Sequence, residues 1–256
     1  MSPISRTTEW LIGAVPIVLL LALWHGIAAS GLAPPALLPA PLAVFARLGE
    51  QLRNPLFIEH AATTLFRLFA GFSIAVVLGV GLGLAATASP LLGQIARPLV
   101  RVLAPIPKVA LYPAFILVLG FEHASKIALV AADATFPILL ATWAGTSAVE
   151  PKLVWSARAA GATPLRTLFG VVLMAAMPSV LTGCRIGLVI SCIVVFLAEM
   201  ITSSDGLGHL LVRASRNFQT VDMFVPLIAI SMLGLTLNVG FNALRTWMLA
   251  GFSEEG

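Results

Sequence analysis

Residues 151–168 read PKLVWSARAAGATPLRTL, a short basic stretch between two long apolar segments. Pro151 suits the first turn of a helix, where its missing N–H group costs nothing, and Gly161 suits the position just past a helix end. The stretch therefore predicts a helix of about nine residues between them. Thr163 can cap a second helix, which begins at Pro164 and leads into the next apolar segment.

The first of these helices has two unlike faces. Leu153, Ala157 and Ala160 share a face that can lie against the rest of the protein. The opposite face is small and polar, with Lys152 and Ser156. From the residues alone two interpretations remain open: a surface that receives another protein, or an amphipathic helix held among lipid headgroups.

The composition places the chain in a membrane. Of its 256 residues 59% are hydrophobic and only 10% are charged, whereas soluble domains contain about 25% charged residues. A helix needs roughly 20 apolar residues to cross the hydrocarbon layer. We predict an all-α membrane protein with about six transmembrane helices, at residues 10–29, 65–87, 103–121, 125–148, 172–198 and 223–249.

These spans imply a simple organisation. Residues 1–64 hold the first helix and an amphipathic external connection, residues 65–250 form a core of five spans, and residues 251–256 are a short cytoplasmic tail. The alternative for the first span is a secretory signal peptide, but its apolar run is longer than is usual for one. With a cytoplasmic N-terminus, eight of the 15 lysines and arginines fall inside and five outside, which places residues 151–161 in the cytoplasm.

Motifs of catalysis are missing from the sequence. There is no G-x-x-x-x-G-K-[ST] phosphate loop, no H-E-x-x-H zinc helix and no G-x-S-x-G nucleophile elbow. The four histidines have no ligand spacing, and the two cysteines lie about 12 Å apart on one helix, too far for a disulfide. We predict a chain that is not an enzyme, binds no metal and no nucleic acid, and depends on another chain if ATP drives it.

Small residues and prolines mark special positions within the spans. GVGLG at 79–83 and the pair Gly183 and Gly187 predict close helix packing, within the chain rather than across a dimer. Pro107 and Pro113, with Pro105, interrupt the third span. Proline at this depth indicates either a hinged helix beside the transport path or a fixed kink.

Three ionisable residues stand out in or at the end of the predicted spans, because a charge at such a depth normally faces protein or water. Arg185 and Glu199 share one helix face but lie about 21 Å apart along it, so each needs its own partner. Both can anchor neighbouring helices or line the path. Asp133 can select a cationic or zwitterionic substrate, or can be neutral and hydrogen-bonded within the bundle.

Several stretches resemble binding-protein-dependent ABC importer permeases of the nitrate, sulfonate and taurine branch. The main one, VEPKLVWSARAAGATPLRTLFGVVLMAAMPSVLTGCRIG at 149–187, is similar to the cytoplasmic coupling loop of these proteins. The resemblance covers roughly residues 36–250. It includes LLPAPLAVFARL, RLFAGFSIAVVLGVGLGL, RVLAPIPKVALYPAFILVLGFEHASKIAL and LAEMITSSDGLGHLL.

The resemblance implies a type I ABC importer permease fold, with a coupling helix between the fourth and fifth spans that docks on a separate cytoplasmic ATPase. The residues that match this contact are Ser156, Ala157, Arg158, Gly161, Ala162 and Thr163. Trp155 stands where the family often has glutamate. The turn at 203–208 would help form the outer gate and meet a delivery protein, with Arg213, Arg216 and Asp222 either part of that surface or simply solvated.

The resemblance also implies partners and a location. The ATP and magnesium would be bound by the ATPase, with no cofactor on this chain. The other partners would be a second permease copy in a homodimer, an external solute-binding protein and the lipid of a bacterial inner membrane. The cargo would be a small anion such as a sulfonate, taurine or nitrate. Alternatives are a secondary transporter or channel working without ATP, with Asp133 and Glu199 as ion-coupling sites, and a membrane-embedded assembly factor.

Overall fold

The computed structural model describes residues 6–34 and 36–250, with side chains from residue 15 onward; the predicted tail at 251–256 lies outside them. The described residues are helical apart from short connections, with a 3₁₀ turn at Lys108–Leu111 and a π-helical turn at Leu168–Val172. The α-helices are α1 (Arg6–Ala29), α2 (Pro41–Gln51), α3 (Pro55–Ala88), α4 (Pro90–Leu103), α5 (Tyr112–Leu119), α6 (His123–Ser147), α7 (Pro151–Ala159), α8 (Pro164–Thr167), α9 (Leu173–Ala175), α10 (Met177–Thr202), α11 (Leu207–Arg216) and α12 (Thr220–Leu249).

The long helices confirm the predicted all-α membrane fold. Across the described residues four helices, α3, α6, α10 and α12, are long and apolar enough to cross a bilayer. A bent pair, Pro90–Leu103 with Lys108–Leu119, makes a fifth if it is counted as one span. In α1, the stretch Val15–Ala29 is a shorter apolar helix.

The third predicted span, residues 103–121, is interrupted, as its prolines predict, but its helix begins earlier, at Pro90. The chain bends by 84° between Pro90–Leu103 and Lys108–Leu119. Pro105 and Pro107 fall in this break, and each removes a backbone donor and disfavours helical geometry in the residue before it. The span is therefore broken by local backbone chemistry.

Two other helix boundaries differ from the prediction. The second span begins ten residues early, at Pro55, where Asn54 Oδ1 accepts a hydrogen bond of 3.1 Å from the Leu56 N–H group. The predicted division at residue 65 therefore falls inside α3. The fifth span is interrupted near its start, because a π-helical turn and a break at Ala176 precede α10. Apolar composition defines the membrane crossing but does not mark where a helix extends into water or changes its winding.

Glycines allow α3, α6 and α10 to pack closely. A β-carbon added to Gly79 would lie 2.7 Å from Cβ of Ile138, and one added to Gly187 would lie 2.8 Å from Cδ1 of the same isoleucine. Gly83 and Gly183 meet α6 in the same way, at Thr142 and Ala141. The prediction that these glycines serve packing within the chain is confirmed. Helix α6 is thus clasped between α3 and α10.

This close packing gives a test within a single helix. Gly79→Val should lower the thermal unfolding midpoint of the detergent-purified protein, because overpacking a tight contact costs about 1–3 kcal/mol. Gly81→Val, two residues along the same helix, is the control, since a β-carbon there meets nothing within 4 Å. Equal midpoints for the two variants would contradict the packing of α3 against α6.

Candidate functional site

The predicted basic helix at 151–161 is present. Helix α7 is nine residues long and carries Pro151 in its first turn. Gly161 follows with φ of +85°, a backbone conformation that favours glycine. The Thr163 side chain then caps α8, accepting a hydrogen bond of 3.3 Å from the Arg166 N–H group. These local predictions are confirmed because each depends on residues close together in the chain.

The rotation of α7 differs from the prediction. Val154 and Ala157 are half-buried, whereas Leu153, which was expected to lie against the protein, is 46% exposed. Trp155 is 65% exposed. The apolar residues of so short a helix do not fix its rotation, which is set instead by the neighbouring α8 and π-helical turn.

The six residues proposed for ATPase docking lie on and just after α7. Ala157 and Ala162 are half-buried, and the other four are exposed: Ser156, Arg158, Gly161 and Thr163. None of the side chains of α7 itself is buried against the described residues. The helix thus leaves most of its side chains exposed, apart from the half-buried Val154 and Ala157. Its docking role stays a prediction.

The prolines proposed for the transport path lie at the break in the third span. Pro107 directly precedes the 3₁₀ turn, and its carbonyl accepts a hydrogen bond of 3.0 Å from the Ala110 N–H group. Pro113 lies in the first turn of α5, where a missing N–H group is tolerated. Both are exposed. Whether they line the path stays a prediction.

Asp133 has a partner that the sequence analysis did not identify. The ammonium group of Lys108 lies 3.7 Å from Asp133 Oδ1 and 4.3 Å from the ring centroid of Phe136. The same ammonium group donates a hydrogen bond of 2.7 Å to the Ala104 carbonyl. The arrangement favours a carboxylate held within the bundle, and it ties the broken span to α6.

Arg185 and Glu199 each have their own partner, as predicted. Arg185 Nε donates a hydrogen bond of 3.0 Å to Asn238 Oδ1, which joins α10 to α12. Near the C-terminal end of α10, Glu199 Oε1 lies 2.8 Å from Arg67 Nη1, and both side chains are at least 99% buried. A role for Arg185 or Glu199 in the path stays a prediction.

The carboxylate of Glu199 is saturated with donors. Besides Arg67, it accepts hydrogen bonds from the Thr64 hydroxyl at 2.9 Å and from the Gly208 N–H group at 3.1 Å. Desolvating a carboxylate is costly, and hydrogen bonds of this kind offset part of that cost. Glu199 therefore serves here as the fixed centre of a polar network rather than as an open site.

Arg67 uses its remaining donors to hold the loop that follows α10. It donates through Nη2 to Asp205 Oδ1 and through Nη1 to the Asp205 carbonyl at 3.3 Å and to Ser203 Oγ at 3.4 Å. Its Nε donates to His123 Nδ1 at 3.1 Å, so this ring nitrogen carries no proton. One guanidinium thereby joins α3, α6, α10 and the loop.

Only glycine fits at the tightest point of this loop. Gly206 has φ of +95°, and the carboxyl group of Glu199 occupies the space that a β-carbon would need. The Gly206 N–H group donates a hydrogen bond of 2.9 Å to His60 Nδ1, and the N–H group of Leu207 donates one of 2.9 Å to Thr64 Oγ1. Residues 203–206 are therefore fastened from several sides.

Sequence reasoning missed most of this network. Arg67 was not singled out as a candidate, and the four histidines, His60 and His123 among them, were set aside because their spacing suits no metal. The available signal was a lone arginine near the outer end of an apolar run, opposite the acidic Glu199. Spacing along the chain does not reveal that three helices bring these groups together.

Comparison with known proteins identifies relatives along most of the chain. The family described as binding-protein-dependent transport system inner membrane component matches residues 75–253. The taurine transport system permease protein of Escherichia coli (strain K12) is 29% identical over 248 residues, covering 95% of this chain and 90% of the relative. A putative aliphatic sulfonates transport permease protein of Bacillus subtilis (strain 168) is 29% identical over 232 residues, covering 91% and 84%.

Solved structures share the fold. An inward-facing MetNI methionine ABC transporter aligns with a TM-score of 0.67 at 17% identity, covering 75% of this chain and 96% of that chain. An amino acid ABC transporter solved with histidines aligns with a TM-score of 0.57 at 19% identity, covering 78% and 95%. At these identities the likeness concerns the fold alone.

The buried ion pair predicts unequal effects of its two partners. Arg67→Met leaves Glu199 buried without a counter-charge and should destabilise the protein by about 3–5 kcal/mol. Glu199→Gln should cost less, because Asp205 still pairs with Arg67. Thermal unfolding of the detergent-purified variants measures both effects.

Arg185→Gln serves as the control for these variants, since that half-buried arginine loses a neutral partner only. The double variant Arg67→Met with Glu199→Leu should recover part of the loss, because it removes both charges. A midpoint for Arg67→Met equal to that of the unmodified protein would contradict the network.

The loop carboxylate predicts a pH dependence. Burial alone would raise the pKa of Asp205, but the hydrogen bond and charge of Arg67 outweigh it, so this pKa lies below its ordinary value of 3.8. When folding lowers the pKa of a carboxyl group, its stabilising effect is fully present at pH values above the ordinary pKa. The effect is lost as the pH falls through the lowered pKa of the folded state. The unfolding midpoint of Asp205→Asn should therefore lie below that of the unmodified protein by a constant amount between about pH 5 and pH 8. The difference should shrink below about pH 4, and a difference that grows there would contradict the assignment.

Proposed function

We propose that this chain, which belongs to the family of binding-protein-dependent transport system inner membrane components, is the membrane subunit of an ATP-driven importer for a small sulfonate such as taurine. The names of its relatives, a taurine permease and an aliphatic sulfonate permease, support this cargo class. The family accounts for a transport subunit in a membrane. The ATPase, the binding protein and the second copy of the permease are parts of the proposal.

The observation that carries the proposal is the exposure of α7. No side chain of this nine-residue helix is fully buried within the described structure, and only Val154 and Ala157 are half-buried. An isolated helix of this length has only marginal stability in water. The exposed basic side chains of Lys152 and Arg158 are available for contact with a partner. A groove on a cytoplasmic ATPase would supply the missing contact, and that subunit would bind the ATP and magnesium.

A continuous path leads from α7 to the outer end of the bundle. The turn at Gly161 joins α7 to α8, which runs through the π-helical turn at Leu168–Val172 towards α10. With 26 residues, α10 has a length of about 39 Å. Its outer end holds Glu199, which is fastened to Arg67. A push on α7 would therefore reach the loop at 203–206 through nearly rigid elements.

This path gives the transport cycle a physical basis. Closure of the ATPase pair would draw together the α7 helices of two permease copies and favour an outward-facing cavity. An external binding protein would then release its cargo. The coupling requires the ATPase to bind one conformation of the permease more tightly than the other. The protein would lie in a bacterial inner membrane, with lipid around its apolar helices.

A secondary transporter or channel is the other candidate, and the buried carboxylates weigh against it. Ion coupling of the kind considered above needs a carboxylate that is open to the transported ion. Glu199 is engaged by Arg67 and Asp133 lies beside Lys108. Both groups are thus better suited to holding helices together than to carrying ions.

The turn after α7 tests the proposal. Gly161→Val should lower ATP-driven taurine uptake about 5–30-fold, because a β-branched residue at this positive φ costs roughly 1–2 kcal/mol and misplaces α7. ATP hydrolysis should continue. Uptake and hydrolysis are measured together in proteoliposomes that hold the permease with its ATPase and binding protein.

Gly31→Val is the matched control. Gly31 has a similar φ of +73°, and a β-carbon there also meets nothing within 4 Å. It lies outside the cytoplasmic connection, so uptake should stay within about twofold of normal. Coupled uptake that is unaffected by Gly161→Val would argue against α7 as the coupling element.

A further inference from the structure

A cavity opens at the outer end of the bundle, and its lining is unusual in charge. It has a volume of about 480 Å³ and lies between the outer end of α10, the helix α11 and the connection before α6. We call it the outer cavity and define it by Phe121, Glu122, Ser204, Arg213 and Arg216. Two of these side chains are cationic and one is anionic; the buried carboxylate of Glu199, which is paired with Arg67, also borders the cavity.

The charged groups of the outer cavity are available to a ligand. Most charged side chains nearby have partners in the protein, such as Arg67 with Glu199 and Arg47 with Asp222. Within the described part of the chain, no hydrogen bond or ion pair engages the guanidinium groups of Arg213 and Arg216 or the carboxylate of Glu122. All three residues are exposed.

The walls that carry these groups are held in place. Lys126 is 1% exposed, and its ammonium group donates hydrogen bonds to the Phe121 carbonyl at 2.5 Å and the Glu122 carbonyl at 3.1 Å. On the other wall, His209 Nδ1 lies 2.6 Å from the Ser203 carbonyl oxygen and joins α11 to the loop. These contacts fix the backbone that carries the charged side chains, so ligand binding has to order only the side chains themselves.

The chemistry of the lining fits a small zwitterion. A guanidinium fork matches the oxygens of a sulfonate or carboxylate, and two of them line one side of the cavity. The carboxylate of Glu122 complements an ammonium group, and the ring of Phe121, which is 67% exposed, offers a further cation–π contact. The volume falls within the range of small-molecule sites, about 300–1,000 Å³.

We propose that the outer cavity binds a small zwitterionic solute, with its acidic group at Arg213 and Arg216 and its ammonium group at Glu122. This site would receive the cargo before it enters the bundle, and in that respect the inference rests on the proposed function. It narrows the cargo from sulfonate-type anions in general to those that also carry an amino group.

Two probes separate the halves of the site. Taurine carries both groups, and ethanesulfonate is the same molecule without the ammonium group. Arg213→Gln and Arg216→Gln should each raise the dissociation constant about tenfold or more for both probes, since a charge-assisted contact contributes about 1.5–3 kcal/mol. Glu122→Gln should raise it about tenfold for taurine only.

The measurement is equilibrium binding of radiolabelled probe to the full-length permease in nanodiscs, without binding protein. Arg53→Gln is the control, because this exposed arginine lies before α3 and outside the cavity; both dissociation constants should stay unchanged. Unaltered taurine binding in both arginine variants would overturn the site. Equal effects of Glu122→Gln on the two probes would overturn its zwitterionic character.

A phospholipid headgroup is another source of the same chemistry, since phosphatidylethanolamine pairs an anionic phosphate with an ammonium group. Taurine should bind equally in nanodiscs of phosphatidylglycerol and of phosphatidylethanolamine. Loss of taurine binding in phosphatidylethanolamine would assign the cavity to lipid and overturn the proposal.

The site and the proposed function can fail separately. Arginine-dependent taurine binding without ATP-driven uptake by the assembled transporter would leave the site standing and contradict the proposed function. ATP-driven taurine uptake with no effect of any cavity variant on uptake or binding would support the proposed function and contradict the site.

Discussion

The ion pair between Arg67 and Glu199 is the constraint on which one end of the bundle depends, the end that holds the loop at 203–206. Both charges are buried, in a chain of which only 10% of the residues are charged. Neither can remain there unless α3 and α10 keep their register and the loop at 203–206 stays folded over them. The pair is weak evidence for stability as such, because desolvation offsets much of its attraction. Its structural effect is to tie α3, α6, α10 and the loop to one guanidinium.

Close packing at glycines holds the long helices together along the rest of their length. Where Gly79, Gly183 and Gly187 meet α6, the helices approach too closely to slide without a clash. Packed cores and interfaces tend to switch between discrete arrangements rather than deform continuously. In the proposed importer this rigidity would let a displacement at α7 reach the outer network along α10. Along this path the helix is irregular at the π-helical turn of Leu168–Val172 and at Ala176.

The charged side chains around the loop at 203–206 fall into two groups. Arg67, Glu199 and Asp205 are consumed in holding the fold together. The second group is exposed in the outer cavity and consists of Arg213, Arg216 and Glu122. The proposed zwitterion site depends on this group. The distinction follows from the geometry, because the first three side chains have charged partners in the protein and the second three have none among the described residues.

The sequence by itself determined the membrane class, most of the long helices and the local design of α7, since apolar run length, Pro151, Gly161 and the Thr163 cap act over a few neighbouring residues. It also required separate partners for Arg185 and Glu199, because helix geometry keeps them apart. Only the tertiary structure decided which partners these are, how α7 is rotated, and that Lys108 lies beside Asp133. Such pairings join positions far apart in the chain, and no periodicity records them. They arise where helices cross, from contacts that a single sequence does not display.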